Sequence, residues 1–273
     1  MGGAFSIPAI CVRMGRKGKL FERMLRQPPK NVDVMLMEGS SLGRLGDNEG
    51  FPSEQALERT FVERFKATPG MVLVTCSAQN IDRVVTIYRA TKQTGRTLII
   101  DAYAAEVLKA TGYYSIPKPV RGWPNIAVFI PQAQRVHLVK KKIAPIVDSY
   151  RGFRLWPQQL AEHAPRSVML FRPWMLRDLE RAKALTGACV IWSQWEGYLA
   201  EGPGARLKSD CKARGIPFVP IHTSGHASIA DLKRLATALS SKVLVPIHTF
   251  EAERFPVLFE NVTVINDGFW MEV

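Results

Sequence analysis

Histidine is scarce in this chain, and three of its five histidines fall within one stretch. His222 and His226 lie in the segment HTSGH, and His248 lies further along in VPIHTF. Imidazoles bind metals, exchange protons near neutral pH and stabilise negative charge. A lone histidine near an apolar run is more often structural, so the prediction of a site depends on several such residues falling together.

A carboxylate belongs to the same group of residues. Glu38 ends the apolar run VDVMLM and is followed by the small residues GSS, which allow a close approach of other groups. A carboxylate next to an imidazole holds the ring in one tautomer and supports proton transfer. Glu38, His226 and His248 are therefore predicted to form one site.

The elements that must position these residues follow an alternating pattern, which predicts an α/β fold with mainly parallel sheets flanked by helices. The clearest helical patterns follow Ser53, Asn80, Pro173 and Ser228. The region 112–165 is less regular and is predicted to be the arm or rim of a domain. Strands are predicted at residues 32–37, 71–76, 96–101, 167–171, 188–192, 217–221, 242–247 and 262–266.

The segment 216–248 is predicted to form a strand, a loop, a helix and a second strand. Ser228 and Asp231 give a capping-box-like start to the helix. The two strands of such a crossover are parallel, so their carboxyl ends meet at one sheet edge. This places the loop HTSGH beside His248, where ligands bind in open α/β sheets.

Composition limits the classes of protein. The 273 residues are 47% hydrophobic, which is enough for one large or two modest domains. The net charge is +13, and residues 121–183 hold 12 Lys or Arg against 4 Asp or Glu. Such a concentration favours a polyanionic partner, although a basic, solvated surface explains it as well.

Cysteine usage and hydropathy predict the compartment. The four cysteines lie far apart without a CxxC pair, so neither a zinc ribbon nor a disulfide framework is indicated. No apolar run reaches the ~18 to 20 residues that cross a bilayer. We therefore expect a soluble, cytoplasmic protein that does not bind a membrane.

The candidate residues carry a resemblance to a known family. Glu38 in MEGSS, His226 in HTSGHAS and His248 in VPIHTF resemble motifs A, B and C of the β-CASP nucleases of the metallo-β-lactamase fold. That family includes ribonuclease J and the mRNA cleavage endonuclease. The resemblance covers nearly the whole chain and implies an RNA-processing type of hydrolase.

The resemblance also implies a role for each site residue. His248 would be a zinc ligand, and His226 would act near the scissile phosphate as a proton donor or charge stabiliser. Glu38 would orient His226 and so belong to the catalytic group. His222 and Ser224 would contact phosphate oxygens.

The domain organisation implied by the resemblance is a partial metallo-β-lactamase fold with an inserted β-CASP domain. Residues 1–49 would be a remnant of the lactamase domain, 50–205 the β-CASP domain, and 206–273 the C-terminal part of the lactamase domain. In the inserted domain, Ser77 and Asn80 open a helix directly after a strand, which predicts a phosphate site. Asn80 serves equally well as a plain helix cap.

The chain departs from the family in its metal ligands. The family holds two zinc ions, mainly through an HxHxDH motif, and no such motif occurs here. None of the histidines precedes Glu38. Since a catalytic zinc needs about three protein ligands, we expect this chain alone not to hold zinc. The histidines are His137, His163, His222, His226 and His248.

Three functional classes follow from these patterns. The first is a truncated β-CASP hydrolase that is inactive alone and needs a separate chain, or a homo-oligomer, to complete it. The second is a non-catalytic nucleic-acid-binding module. Both would bind single-stranded RNA or DNA. A hydrolase for small molecules of the same fold fits poorly, because the large insertion and the positive charge suit a polyanion.

Overall fold

The computed structural model describes residues 3–7, 17–46 and 49–271. None of the helices in these ranges is long and apolar enough to cross a membrane. The strands are β1 (Gly3–Ile7), β2 (Val32–Glu38), β3 (Val72–Thr75), β4 (Thr97–Ile100), β5 (Ile126–Val128), β6 (Ser167–Leu170), β7 (Cys189–Trp192), β8 (Phe218–Pro220) and β9 (Val243–Ile247). The α-helices are α1 (Lys17–Arg26), α2 (Glu54–Ala67), α3 (Ile81–Gln93), α4 (Ala102–Ala110), α5 (Gln132–Lys140), α6 (Pro145–Ser149), α7 (Leu160–His163), α8 (Leu176–Arg181), α9 (Gly202–Ala213), α10 (Ile229–Leu239) and α11 (Phe255–Leu258). Short 3₁₀ helices span Arg151–Phe153, Pro157–Gln159, Ala164–Arg166, Pro173–Met175, Glu196–Leu199 and Ala252–Arg254.

The chain divides into two compact units. Unit 1 contains residues 1–53 and 224–273, and unit 2 contains residues 54–223. The predicted boundaries were at 49/50 and 205/206. The second boundary lies later because β8 pairs with β7 and so belongs to the sheet of unit 2. The predicted crossover in 216–248 is therefore wrong, because its two strands, β8 and β9, belong to different sheets. Within the predicted 1–49 segment, residues 1–2, 8–16 and 47–48 lie outside the described residues.

Unit 1 has a parallel sheet in the order β1-β2-β9 among the described residues. Helix α10 begins at Ser228, whose side-chain oxygen accepts a hydrogen bond from the Asp231 amide. Apolar residues recur along α10 at helical spacing and pack against Met35 and Met37 of β2. These residues of α10 are Ile229, Leu232, Leu235 and Leu239. The core of unit 1 therefore lies between the sheet and this helix.

Unit 2 has a larger parallel sheet, in the order β5-β4-β6-β3-β7-β8 within the described part of the chain. Alternate residues of β3 face opposite sides of it. Val72 and Val74 belong to one apolar cluster, whereas Met71 and Leu73 belong to another. A sheet buried on both faces by helices is typical of α/β proteins, so the predicted fold class is confirmed at this level.

Most predicted strands are present, but the last one is not. In 262–266, Val262 makes only an isolated parallel bridge to Leu244, and no strand follows. Asn261 precedes it with a positive φ of 54°, which interrupts an extended backbone before pairing can build up. Strand β5 was not predicted, because its run of three residues lies between Pro124 and Pro131 in a stretch that resembles a loop.

The two ends of α10 give a paired test of the unit 1 fold. We expect Ser228→Ala to lower the free energy of unfolding by about 1 kcal/mol, because the Asp231 amide loses its acceptor. Ser240 ends the helix in the left-handed region, with φ 44°. We expect Ser240→Gly to leave stability unchanged or raise it. Urea unfolding measures both, and an equal loss in the two variants would contradict the assigned caps.

Candidate functional site

Parallel pairing of β2 and β9 brings the first two candidate residues to one sheet edge. Glu38 ends β2 and pairs in register with Ile247, the last residue of β9. His248 follows directly, and the Gly39 amide donates to the Ile247 carbonyl at 3.3 Å. Glu38 is fully buried, whereas His248 is exposed. A protected carboxylate thus lies beside an accessible imidazole.

Gly39 is required by the packing below this edge. A Cβ at this position would lie 2.5 Å from the ring of Phe255, which is itself fully buried. The Gly39 carbonyl also accepts a hydrogen bond from the Thr249 hydroxyl at 3.1 Å. The glycine in MEGS therefore allows the chain after β2 to lie close to the segment after β9.

Glu38 orients His226. Its Oε2 lies 2.7 Å from His226 Nδ1, and that nitrogen has no other hydrogen-bond partner. The amides of Ser40 and Ala227 donate to the same carboxylate at 3.3 and 3.4 Å. Burial alone would raise the pKa of Glu38, but its hydrogen bonds with His226 and Ser40 and the charge of His226 lower it below its usual value. The predicted contact between Glu38 and His226 is present.

The loop before α10 holds His226 from the other side. The Ser224 hydroxyl accepts a hydrogen bond from the His226 amide at 3.2 Å. Two residues later, Ser228 begins α10, whose apolar face is anchored in the core of unit 1. Ser224 thus has a visible structural contact, while its predicted contact with phosphate stays a prediction.

His248 is held by Ser40. The Ser40 hydroxyl donates to the His248 carbonyl at 3.1 Å and lies 3.0 Å from His248 Nδ1. The hydroxyl has one proton and can donate to only one of these two atoms at a time, so the role of Nδ1 depends on the tautomer of the ring. His248 has a positive φ of 52°, a conformation that ends β9 and turns the chain.

The three side chains form a cluster that resembles part of a metal site. Possible ligand atoms of Glu38, His226 and His248 all lie within 4.8 Å of one another, and the two rings are 5.8 Å apart. However, both oxygens of Glu38 already accept hydrogen bonds. Each carboxylate oxygen has two lone pairs, so Oε1, which accepts from the Ala227 amide, keeps one that could bind a metal. The cluster thus offers at most three ligands, and the expectation that this chain alone does not hold zinc stays a prediction.

The remaining predicted residues, His222, Ser77 and Asn80, belong to unit 2, where Arg83 contacts His222 and Asn80. The Arg83 side chain is fully buried and forms an ion pair with Glu54 at 2.9 Å. Its Nη1 lies 2.5 Å from the Ser193 hydroxyl and 3.4 Å from His222 Nδ1, and its Nη2 donates to the Thr223 carbonyl at 3.3 Å. Burial, then the Arg83 charge, lowers the pKa of His222 to about 4. His222 is therefore neutral near pH 7.

Ser77 and Asn80 lie directly after β3, as predicted. The Asn80 side chain accepts a hydrogen bond from the Arg83 amide at 3.2 Å and caps α3. The Ser77 hydroxyl accepts one from the Gln79 amide at 3.2 Å. Asn80 is thus a helix cap, and the binding of phosphate by either residue stays a prediction.

Sequence reasoning missed Arg83, Glu54 and Ser40. For Arg83 a signal exists, because it shares one helical face with Ile87 and Ala90, both fully buried. A charged residue on an apolar helix face predicts a buried ion pair. Ser40 had no such signal, since its role depends on how β2 and β9 pair.

Comparisons with known proteins bear on the fold. No family model matches this chain, and no curated protein matches it. Among solved structures, it is similar to the crystal structure of a protein of unknown function from Enterococcus faecalis V583, with a TM-score of 0.67 and 17% sequence identity. The match covers 96% of this chain and 56% of the other. This chain therefore spans little more than half the length of that protein, and the likeness shows a shared fold only.

The buried Arg83 gives a prediction about unit 2. We expect Arg83→Met to lower the free energy of unfolding by about 3 kcal/mol or more, because it leaves the Glu54 carboxylate without its partner. The double variant Arg83→Met/Glu54→Gln should recover part of the loss. Arg89 lies exposed on the same helix, so Arg89→Met is the control and should stay within about 0.5 kcal/mol. Equal losses for the two arginines would contradict this.

His222 predicts a pH dependence of stability. Its folded pKa of about 4 lies below the ordinary 6.5, so between these values the unfolded chain binds a proton that the folded chain does not. Stability from this group is complete above pH 6.5 and falls as the pH drops toward 4. His222→Gln should flatten the unfolding temperature across that window, whereas His163→Gln should not. An unchanged slope in His222→Gln would refute the assignment.

Proposed function

We propose that this chain acts within a β-CASP type phosphodiesterase of the metallo-β-lactamase fold, of the RNA-processing nuclease class. The observation that carries this proposal is the cluster of Glu38 at the end of β2, His248 directly after β9 and His226 in the loop before α10. The α/β architecture with parallel sheets supports it. The proximity of the three motif-like residues supports the proposal as well.

The chemistry that these residues can perform is proton transfer and charge stabilisation. Glu38 Oε2 lies 2.7 Å from His226 Nδ1 and can accept a hydrogen bond from it, which leaves Nε2 of the ring as the atom that can act on a substrate. When protonated, that nitrogen can donate to the leaving oxygen of a phosphodiester or balance charge on its phosphate. The carboxylate stabilises the imidazolium and fixes the ring's direction.

The negative charge of a nucleic-acid substrate would be matched in unit 2 by the basic segment 121–183, with 12 Lys or Arg and 4 Asp or Glu. Neutralising phosphates with Lys and Arg releases counterions, which drives binding to nucleic acid. We therefore propose single-stranded RNA or DNA as the partner, without a choice between them.

Activity should depend on ligands that this sequence does not contain. We expect the purified chain to hold less than stoichiometric zinc and not to cleave RNA or DNA, because the cluster offers two imidazoles and one carboxylate that already orients His226, without an HxHxDH motif. A second polypeptide that carries an HxHxDH segment of this fold should restore cleavage. Metal analysis and a gel assay on an end-labelled oligonucleotide measure both.

Single-residue variants of this chain test which side chains the restored cleavage depends on. His226→Ala should lower it by about a hundredfold or more, as expected for loss of a general acid. His248→Ala should abolish it, and His163→Ala is the matched control. Tight zinc binding and cleavage by the chain alone, lost in His248→Ala, would contradict this ligand assignment.

A non-catalytic nucleic-acid-binding module is the second candidate. It is favoured by the small ligand set of the cluster, which offers one carboxylate and two imidazoles while the sequence has no HxHxDH motif. The same experiment separates the two. If the chain binds an oligonucleotide and the second polypeptide never restores cleavage, the binding module is the better description.

A further inference from the structure

Unit 2 contains a basic cleft with a volume of about 480 Å³. This size lies within the range of pockets for small ligands. Its wall combines four cations, one carboxylate, two amide side chains and four apolar residues. These are Arg135, Arg154, Arg181, Lys183, Asp178, Gln132, Gln158, Ile130, Leu155, Pro157 and Ala182.

The four cations of the cleft form no ion pair with a carboxylate of the described residues, although Asp148 lies near enough for its charge to act on Arg154. No carboxylate of the described residues lies within ion-pairing distance of Arg135, Arg154, Arg181 or Lys183. Asp178 instead accepts a hydrogen bond from the Gln132 amide at 3.4 Å. The cleft therefore carries an excess of positive charge that its own residues do not neutralise.

Arg154 stacks on an aromatic ring. Its guanidinium lies over the ring of Trp156, 3.9 Å from the ring centre, which orients its planar fork of donors. Partial burial, and then the nearby charge of Arg135, lower the pKa of Arg154. Two like charges thus face the same space, and an anion between them would relieve their repulsion.

Arg181 extends the polar wall on the other side. Its Nη1 donates to the Gln132 side chain at 3.2 Å, so the side chain is directed along the cleft. The apolar part of the wall comes from Ile130, Leu155 and Pro157. Cations next to an apolar surface suit a ligand with phosphate groups attached to a sugar and a base.

We propose that this cleft binds adjacent phosphate groups of a nucleotide ligand. Two sources supply this chemistry, namely consecutive phosphates of a single strand and the polyphosphate of a free nucleotide. In the first case the inference rests on the proposed function and locates the strand on unit 2. The exposed run Lys140 to Lys142 lies outside the cleft, so it adds positive charge to the surface but does not line the proposed binding site.

Two double variants of equal charge test the proposal. Arg135→Gln/Arg181→Gln alters the cleft, whereas Lys140→Gln/Lys141→Gln removes the same charge outside it. All four side chains are exposed, so both variants should fold, which thermal unfolding confirms. The probes are a labelled oligouridylate, ADP and inorganic tripolyphosphate, at about 50 and 200 mM salt.

The cleft variant should weaken binding by about tenfold or more, and the lysine variant by about twofold at most. Equal weakening in both, or none in either, would overturn the cleft while leaving general binding of nucleic acid intact. If ADP binds through the cleft and oligouridylate does not bind, the proposed function is contradicted, whereas the proposal that the cleft binds a nucleotide is supported. If no probe binds the parent chain, both proposals fail.

Discussion

Parallel strand pairing is the constraint on which both units depend. Every strand pair described here is parallel, so residues that follow the strands collect at one edge of each sheet. In unit 1 this edge receives Glu38 and His248. In unit 2 the corresponding edge receives Ser77 after β3 and Asp101 after β4. Polar residues that are far apart in the sequence thus become neighbours in space, although no local sequence pattern predicts that they will meet.

Buried charge is tolerated in this protein only where it is fully engaged. Glu38 and Arg83 are both completely buried, and each has several hydrogen-bond partners within its own unit. Such an arrangement is required, because an isolated buried charge costs several kcal/mol. The cations of the basic cleft contrast with these, since they are exposed or half-buried and lack a carboxylate partner. Engaged charges hold the structure, and unengaged ones remain available to a ligand.

The likeness to a solved structure at 17% identity illustrates how loosely a fold specifies chemistry. Apolar periodicity and strand order can be kept while nearly every surface residue changes. The function of this chain must therefore be inferred from its own residues. Glu38 and His226 are informative because their contact is short and buried, and His248 because it lies next to them at the same edge.

The sequence by itself determined the strands with strong apolar runs, the start of α10 at Ser228, and the meeting of Glu38 with His226 and His248. The strands and the helix start follow from local periodicity and capping, which act within single elements. The grouping of the site residues was predicted through a crossover in one sheet that the structure does not have, because β8 and β9 lie in different sheets. Only the tertiary structure decided that β8 belongs to unit 2, that Arg83 is buried against Glu54, and that the basic cleft exists. Each of these depends on contacts between elements far apart in the chain, and residue type alone does not reveal such contacts. An arginine, for example, is normally exposed, and it becomes a buried anchor only where another element brings it a carboxylate.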